Sequence, residues 1–199
     1  MEIQNNIVVD YSQNGYNGVI SGNPVSTQGI LGDAISFNAQ DDYIDMGNRP
    51  VDLVSHNTSF TMSVWFKTDY NIGDNGVIGG IYGGNYKGFL IRQEHTGQVV
   101  FLVGQGGNIK NEYTVSSSLN IWINAVLTYD GKNISIYLNG KKARDYSIDN
   151  INNESDHNLV IGRNPWDNVR QYQGVIDEVT LLHRAMSALE VDAYYKRMI

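Results

Sequence analysis

The chain has 199 residues, a formal charge of −7 and no cysteine. Its acidity opposes a phosphate backbone, which argues against nucleic-acid binding. The absence of thiols removes disulfides and thiolate metal sites, and no apolar run approaches the roughly 18 residues of a membrane span. The opening MEIQNNIVVDYSQ lacks the basic end and long apolar core of a signal peptide.

The N-terminal stretch 7–20, IVVDYSQNGYNGVI, reads as strand, loop and strand, with Asp10, Asn14, Gly15, Asn17 and Gly18 supplying turn chemistry. Residues 32–46 hold two short strands around Gln40-Asp41-Asp42. In 58–68, Phe60, Met62, Val64 and Phe66 share one face of a strand, and Thr61, Ser63, Trp65 and Lys67 the other. VIGGIY (77–82), GFLIRQ (88–93) and VVFLVG (99–104) follow, separated by Gly-rich turns. Residues 121–129 and 133–138 pair through Asp130-Gly131-Lys132, a strong hairpin signal, and Asn139-Gly140 opens a second hairpin into KKARDYSI. HNLVIGR (157–163) gives another strand. Sequons at Asn57, Asn133 and Asn153 are of the kind that arise by chance in an Asn-rich chain.

The segment from Tyr172 to Val191 is the most informative. Alternation places Val175, Asp177, Val179 and Leu181 on one strand face and Ile176, Glu178, Thr180 and Leu182 on the other. Both faces carry apolar residues, as in a strand covered on both sides. Ser187 and Glu190 have the spacing of a capping box, so a helix is predicted over about 187–197, packed through Leu189, Ala193 and Tyr194. Strands at roughly ten-residue intervals with one terminal helix predict a two-sheet antiparallel jelly-roll sandwich, and no linker or repeat divides residues 1–199, so a single domain is expected.

Three blocks resemble the laminin-G-like branch of the concanavalin A-like lectin/glucanase superfamily. They are LGDAISFNAQDDYIDMG (31–47), WINAVLTYDGKNISIYLNGK (122–141), and IGR followed by QGVIDEVTLLHRAMSALEV (161–191). Their order and spacing agree with the family pattern over residues 10–191. Two departures stand out. Only nine residues precede Asp10, where the family usually has a further strand, and Gln13 occupies a position where Gly is usual.

Asp10, Ser12, Asn14 and Asn17 make an oxygen-rich loop of the kind Ca²⁺ requires. The resemblance implies that this loop meets the strand bearing Asp177, with a structural Ca²⁺ held by Asp10, Asn14, Asn17 and Asp177. The alternative reading is that Asp10 caps an Asx-turn and Asp177 accepts backbone N–H groups. Asp41 and Asp42 form a weaker acidic candidate, for which a solvated turn is the preferred reading.

Sugar sites present an aromatic face to a ring and polar groups to its hydroxyls. Tyr82, Tyr86 and Arg92, with Arg163, Asn164, Trp166, Arg170 and Tyr172, are the loop candidates. Trp166 is equally readable as a lid over the sandwich edge, whereas Trp65 and Trp122 are expected in the core. The superfamily's glucanase motif, E-x-D-x-x-E, is missing. Adjacent Asp177 and Glu178 on an alternating strand would point to opposite faces and could not flank one glycosidic bond. His56, His95, His157 and His183 are scattered.

The sequence therefore favours a non-catalytic, calcium-stabilised, lectin-like module that binds a glycan or glycoconjugate. It would be extracellular or surface-exposed, without membrane insertion or nucleic-acid binding. The alternative is a structural or adhesive surface or virion protein that uses the jelly roll for protein contacts.

Overall fold

The computed structural model describes residues 1–48, 54, 58–68, 76–94, 96–107, 109–148, 151–152, 157–166 and 169–199. Asn57, Asn153, His56 and His95 lie outside them. The alternating apolar runs form strands β1 (Ile3–Gln4), β2 (Ile7–Val8), β3 (Gly18–Ser21), β4 (Val25–Gln28), β5 (Asp33–Asn38) and β6 (Tyr43–Asp45). Next come β7 (Phe60–Lys67), β8 (Gly76–Gly80), β9 (Phe89–Gln93), β10 (Gln98–Gly106) and β11 (Ile109–Ser116). The last are β12 (Ile123–Tyr129), β13 (Asn133–Leu138), β14 (Lys141–Ser147), β15 (Val160–Ile161) and β16 (Gln173–Leu182), followed by helix α1 (Ala188–Met198).

Among the described residues these make two antiparallel sheets. One has the order β1-β2-β3-β6-β15-β8-β9-β10-β11, the other β14-β13-β12-β7-β16-β5-β4. Phe60, Phe66, Phe89, Phe101 and Tyr129 fill the space between them, with Phe60 stacked on Phe89 at 4.6 Å. This is the sandwich that the alternation predicts, with both hairpins where Asp130-Gly131 and Asn139-Gly140 place them. The second hairpin carries a register shift at Ile136/Tyr137.

Three expectations are corrected. First, β16 does not alternate through its length. Asp177 faces Trp65 and Thr180 faces Ser63, so one extra residue sits in β16, and Glu178 adopts φ +47 there. This bulge reverses the faces: Ile176 points into the core before it, Val179 and Leu181 after it. Second, the helix begins where its capping box predicts, with both reciprocal Ser187–Glu190 bonds present, and Tyr194 lies on its packed face as expected, but Leu189 and Ala193 do not. Val191 is buried and Tyr195 stacks on Trp65 at 5.4 Å, whereas Leu189 is 81% exposed and Ala193 is also exposed. Val191, Tyr194, Tyr195 and Met198 recur at three- and four-residue steps, which puts Leu189 and Ala193 on the far side. Third, Asp42 is buried rather than solvated: it accepts the N–H groups of Asn23 (2.8 Å) and Asn38 (3.0 Å). Trp65 is buried as expected, beneath the helix, while Trp122 is half-buried just before β12.

Candidate functional site

Strands β8, β9 and β10 lie side by side and send alternate residues to opposite faces. Phe89, Ile91, Phe101 and Val103 go to the core, so Leu90, Arg92, Val100 and Leu102 face outward. Leu90 and Leu102 are nevertheless buried, because Tyr82 packs on them and Tyr86 leans on that cluster. The Tyr82 and Tyr86 rings are 6.1 Å apart. A short 3₁₀ turn at Gly84–Tyr86 carries the second ring, and its closing residue, Tyr86, sits at φ +53.

Arg92 rises from this floor. Its guanidinium donates to Glu94 (3.1 Å) and Glu112 (2.8 Å), while its Nε has no partner among the described residues. The Tyr82 side chain is 5% exposed and its hydroxyl is likewise unpartnered. Burial pushes that phenol well above its ordinary pKa. Tyr86 and Glu112 add to the shift, and the positive charges of Arg92 and Arg170 oppose it. The phenol therefore stays protonated and can both donate and accept a hydrogen bond.

Of the eight residues expected at a sugar site, the fold gathers Tyr82, Tyr86 and Arg92, and brings Arg170 near enough for its charge to act on the Tyr82 phenol. Trp166 stands 51% exposed in the loop that leads to Arg170, with the loop closed by an Asn164 N–H bond to the Val169 carbonyl. The other three serve the scaffold. Arg163 stacks on the Tyr43 ring at 3.5 Å, and Asn164 is buried and accepts the Trp166 N–H. Tyr172 is fully buried against Phe37 and Phe66, its hydroxyl bonded to Thr68 at 2.8 Å. Tyr172 and Asn164 are thus corrected from ligand contacts to structural residues. Glu94, Glu112, Leu90 and Leu102 complete the site without having been singled out. Glu112 reaches Arg92 across two strand registers, which no local pattern reveals.

The acidic loop behaves differently from its calcium expectation. Asp10 accepts the Ser12 N–H (2.8 Å) on one oxygen, and the Ser12 hydroxyl (2.7 Å) and Tyr16 N–H (2.9 Å) on the other. Burial alone would raise its pKa, but these bonds outweigh it and hold the carboxyl below its usual range. Asn17 Oδ1 takes the Asp10 N–H, and the Asn14 amide donates to Ser12. Asp177 is fully buried and accepts four donors: the Met1 ammonium (2.9 Å) and Glu178 N–H (2.8 Å) on Oδ1, Ile30 (3.0 Å) and Leu31 (3.3 Å) N–H on Oδ2. Ca²⁺ needs six to eight oxygens that are free to turn towards it. Here the Asp10 and Asp177 carboxylates and the Asn17 carbonyl oxygen are each aimed at an N–H or O–H, and no group of three or more acids or histidines converges among the described residues. The residues do not fit the ion: Asp10 caps a turn, and Asp177 pins the β4–β5 turn to β16.

Next to it, burial and the Asp177 charge raise the Glu178 carboxyl above its ordinary value, against the opposing N-terminal ammonium. A carboxyl whose pKa is raised by folding is harder to ionise in the folded state, so stability falls as pH rises through that window. Glu178→Gln is expected to raise the melting temperature at pH 7 by about 1–2 °C, given a half-exposed group. The gain should vanish below about pH 4, where both states are protonated. A gain that persists in acid would assign the effect to packing instead.

A laminin G-type family model, described as the concanavalin A-like lectin/glucanases superfamily, matches residues 38–192. The chain belongs to that superfamily. No curated relative matches it. Among solved structures, this concanavalin A-like chain is similar to the binding domain of Paraclostridial Mosquitocidal Protein 1, with TM-score 0.77 and 16% identity over 98% of this chain and 50% of that one. The receptor-binding domain of botulinum neurotoxin C/D mosaic serotype gives 0.76 and 17%, over 98% and 49%. The binding domain of botulinum neurotoxin DC, solved in complex with rat synaptotagmin II, gives 0.72 and 16%, over 98% and 50%. The concanavalin A-like chain thus spans about half the length of these structures, and at such identities the likeness is one of fold.

Proposed function

We propose that residues 1–199 act as one non-catalytic recognition domain, working outside a cell or on a surface, and that it binds a glycan or glycoconjugate over the outer face of β8–β10. The observation that carries this reading is the Tyr82 hydroxyl, buried and unpartnered between an apolar floor and Arg92. A buried hydroxyl without a partner costs roughly 1–3 kcal/mol, a cost that a ligand hydroxyl would relieve. Tyr86 and exposed Trp166 supply ring surfaces, while Arg92 and Arg170 supply donors. Similarity to domains described as a receptor-binding domain and a binding domain supports recognition rather than catalysis. Asp177 is enclosed by hydrogen-bond donors and Glu178 lies on the other sheet, while Glu94 and Glu112, the acids on this face, are both bonded to Arg92.

A glycan array identifies the ligand, and two variants then test the site. Tyr82→Phe removes only the unpartnered hydroxyl, so the melting temperature should hold or rise while affinity falls about tenfold, the worth of one hydrogen bond. Trp166→Ala should weaken binding with little change in stability, as expected for an exposed ring. Unchanged affinity in both would remove the site. A large stability loss in Trp166→Ala would make that ring a lid.

A further inference from the structure

Strand β16 is paired on both sides for only part of its length. Gln173–Ile176 pair with β5, and Val175–Asp177 and Thr180–Leu182 pair with β7. Beyond Ile176 the two neighbours part, because the Asp177 carboxylate reaches for the turn before β5 and the Glu178 bulge bends the strand. Among the described residues, Glu178–Leu182 have no strand on the side away from β7. The one backbone hydrogen bond they make outside that ladder is from Glu178 N–H to Asp177. In an antiparallel strand, alternate residues turn both N–H and C=O away from a given neighbour, so this half-edge presents an unfilled ladder about 16 Å long.

The edge opens on a cavity of about 410 Å³ between the sheets. Val8, Ile44, Met46, Ile161, Val179 and Leu181 make its walls apolar. Its charged side chains are acidic, Glu2, Asp10, Asp33 and Glu178, with no Lys or Arg; the Met1 ammonium also lines it, already paired with Asp177 at 2.9 Å. Glu178 has no hydrogen-bond or ion-pair partner for its carboxylate among the described residues, unlike Asp10 and Asp177. The contrast with β14 is informative. That outermost strand carries Lys141, Lys142 and Arg144, the charges that discourage strand addition. The free half of β16 reads Val179, Thr180, Leu181, Leu182 and has no such guard.

We propose that the free half-edge of β16 is a docking slot for an extended segment of a partner protein, which adds to the sheet as a strand. The segment would send alternate apolar side chains into the inter-sheet cavity and a Lys or Arg to Glu178. Backbone bonds hold such a strand and side-chain pockets select it. A second copy is a poorer occupant. Two-fold antiparallel pairing of this edge about Thr180 would set each Glu178 opposite Leu182 of the other copy rather than opposite a cation, in a chain of charge −7.

The test uses the full chain and a labelled, end-blocked eight-residue peptide alternating valine and lysine. Fluorescence anisotropy should show saturable binding, and hydrogen exchange should slow at Val179–Leu182. Methylating alternate backbone nitrogens of the peptide should weaken binding at least about tenfold, since it removes ladder donors while keeping side chains and charge. A valine–glutamate peptide should bind weakly to the native chain and better to Glu178→Lys, whose fold is checked by its melting curve. The proposal is overturned if the valine–lysine peptide fails to bind, if methylation leaves its affinity unchanged, or if protection appears elsewhere. A self-associated dimer that protects Val179–Leu182 without any peptide would also overturn it, in favour of a second copy.

Discussion

Asp177→Asn is expected to lower stability by about 3–5 kcal/mol, the range for removing one partner from a buried, hydrogen-bonded charge. The carboxylate accepts four donors in the wild-type chain, two on each oxygen. Asparagine keeps the shape but offers one acceptor oxygen. Its NH₂ would then face either the Ile30 and Leu31 amides or the Met1 ammonium and Glu178 amide, donor against donor. The Met1 ion pair also loses its negative partner. At roughly 2–4 °C per kcal/mol for a domain of this size, the melting temperature should fall by about 10 °C. The same geometry predicts that neither EDTA nor millimolar Ca²⁺ shifts the wild-type melting curve. A curve that drops with EDTA and recovers with Ca²⁺ would show that the Asp177 donors rearrange around an ion. An Asp177→Asn variant as stable as wild type would remove the pinning role altogether.

Most of the architecture was legible because it rests on local signals. Alternation marked the long strands, Asp130-Gly131 and Asn139-Gly140 marked the hairpins, and Ser187 with Glu190 marked the helix start. What escaped depends on a third element. A bulge at Glu178 has no turn residue to announce it, and it follows from where Asp177 finds its donors on the β4–β5 turn. A search of the early chain for a cation finds no Lys or Arg before Arg49, and the cation beside Asp177 is the Met1 ammonium, which is no side chain. The candidate site was half legible. Tyr82, Tyr86 and Arg92 are close in sequence, so two adjacent strands and one turn bring them together. Tyr172 looked like a loop aromatic because polar residues flank it. Burial against Phe37 of β5 and Phe66 of β7 depends on which strands flank β16, which sequence spacing does not encode.

Gly104→Ala is expected to damage both stability and the proposed binding face. Gly104 lies on the outward side of β10, directly beneath the turn that carries Tyr86. A Cβ there would overlap the Tyr86 carbonyl oxygen and crowd its carbonyl carbon, so backbone rather than a flexible side chain must move. The turn cannot lift freely. Gly104 N–H donates to Gly88 O (2.8 Å), Gly88 N–H to Asn152 O (2.7 Å), and Asn152 N–H returns to Gly104 O (3.3 Å). Displacing the turn strains this closed set and separates Tyr86 from Tyr82. Overpacking of this kind costs about 1–3 kcal/mol, or roughly 5 °C in melting temperature. Glycan affinity should fall further than in Tyr82→Phe, since a ring and its support move together. Gly84→Ala is the control: a Cβ at Gly84 meets nothing within 4 Å, so its melting temperature should match wild type. If Gly104→Ala melts with the control, the Tyr86 turn is not seated on β10. If it is destabilised yet binds glycan as wild type does, Tyr86 lies outside the site, and recognition must rest on Tyr82, Arg92 and Trp166.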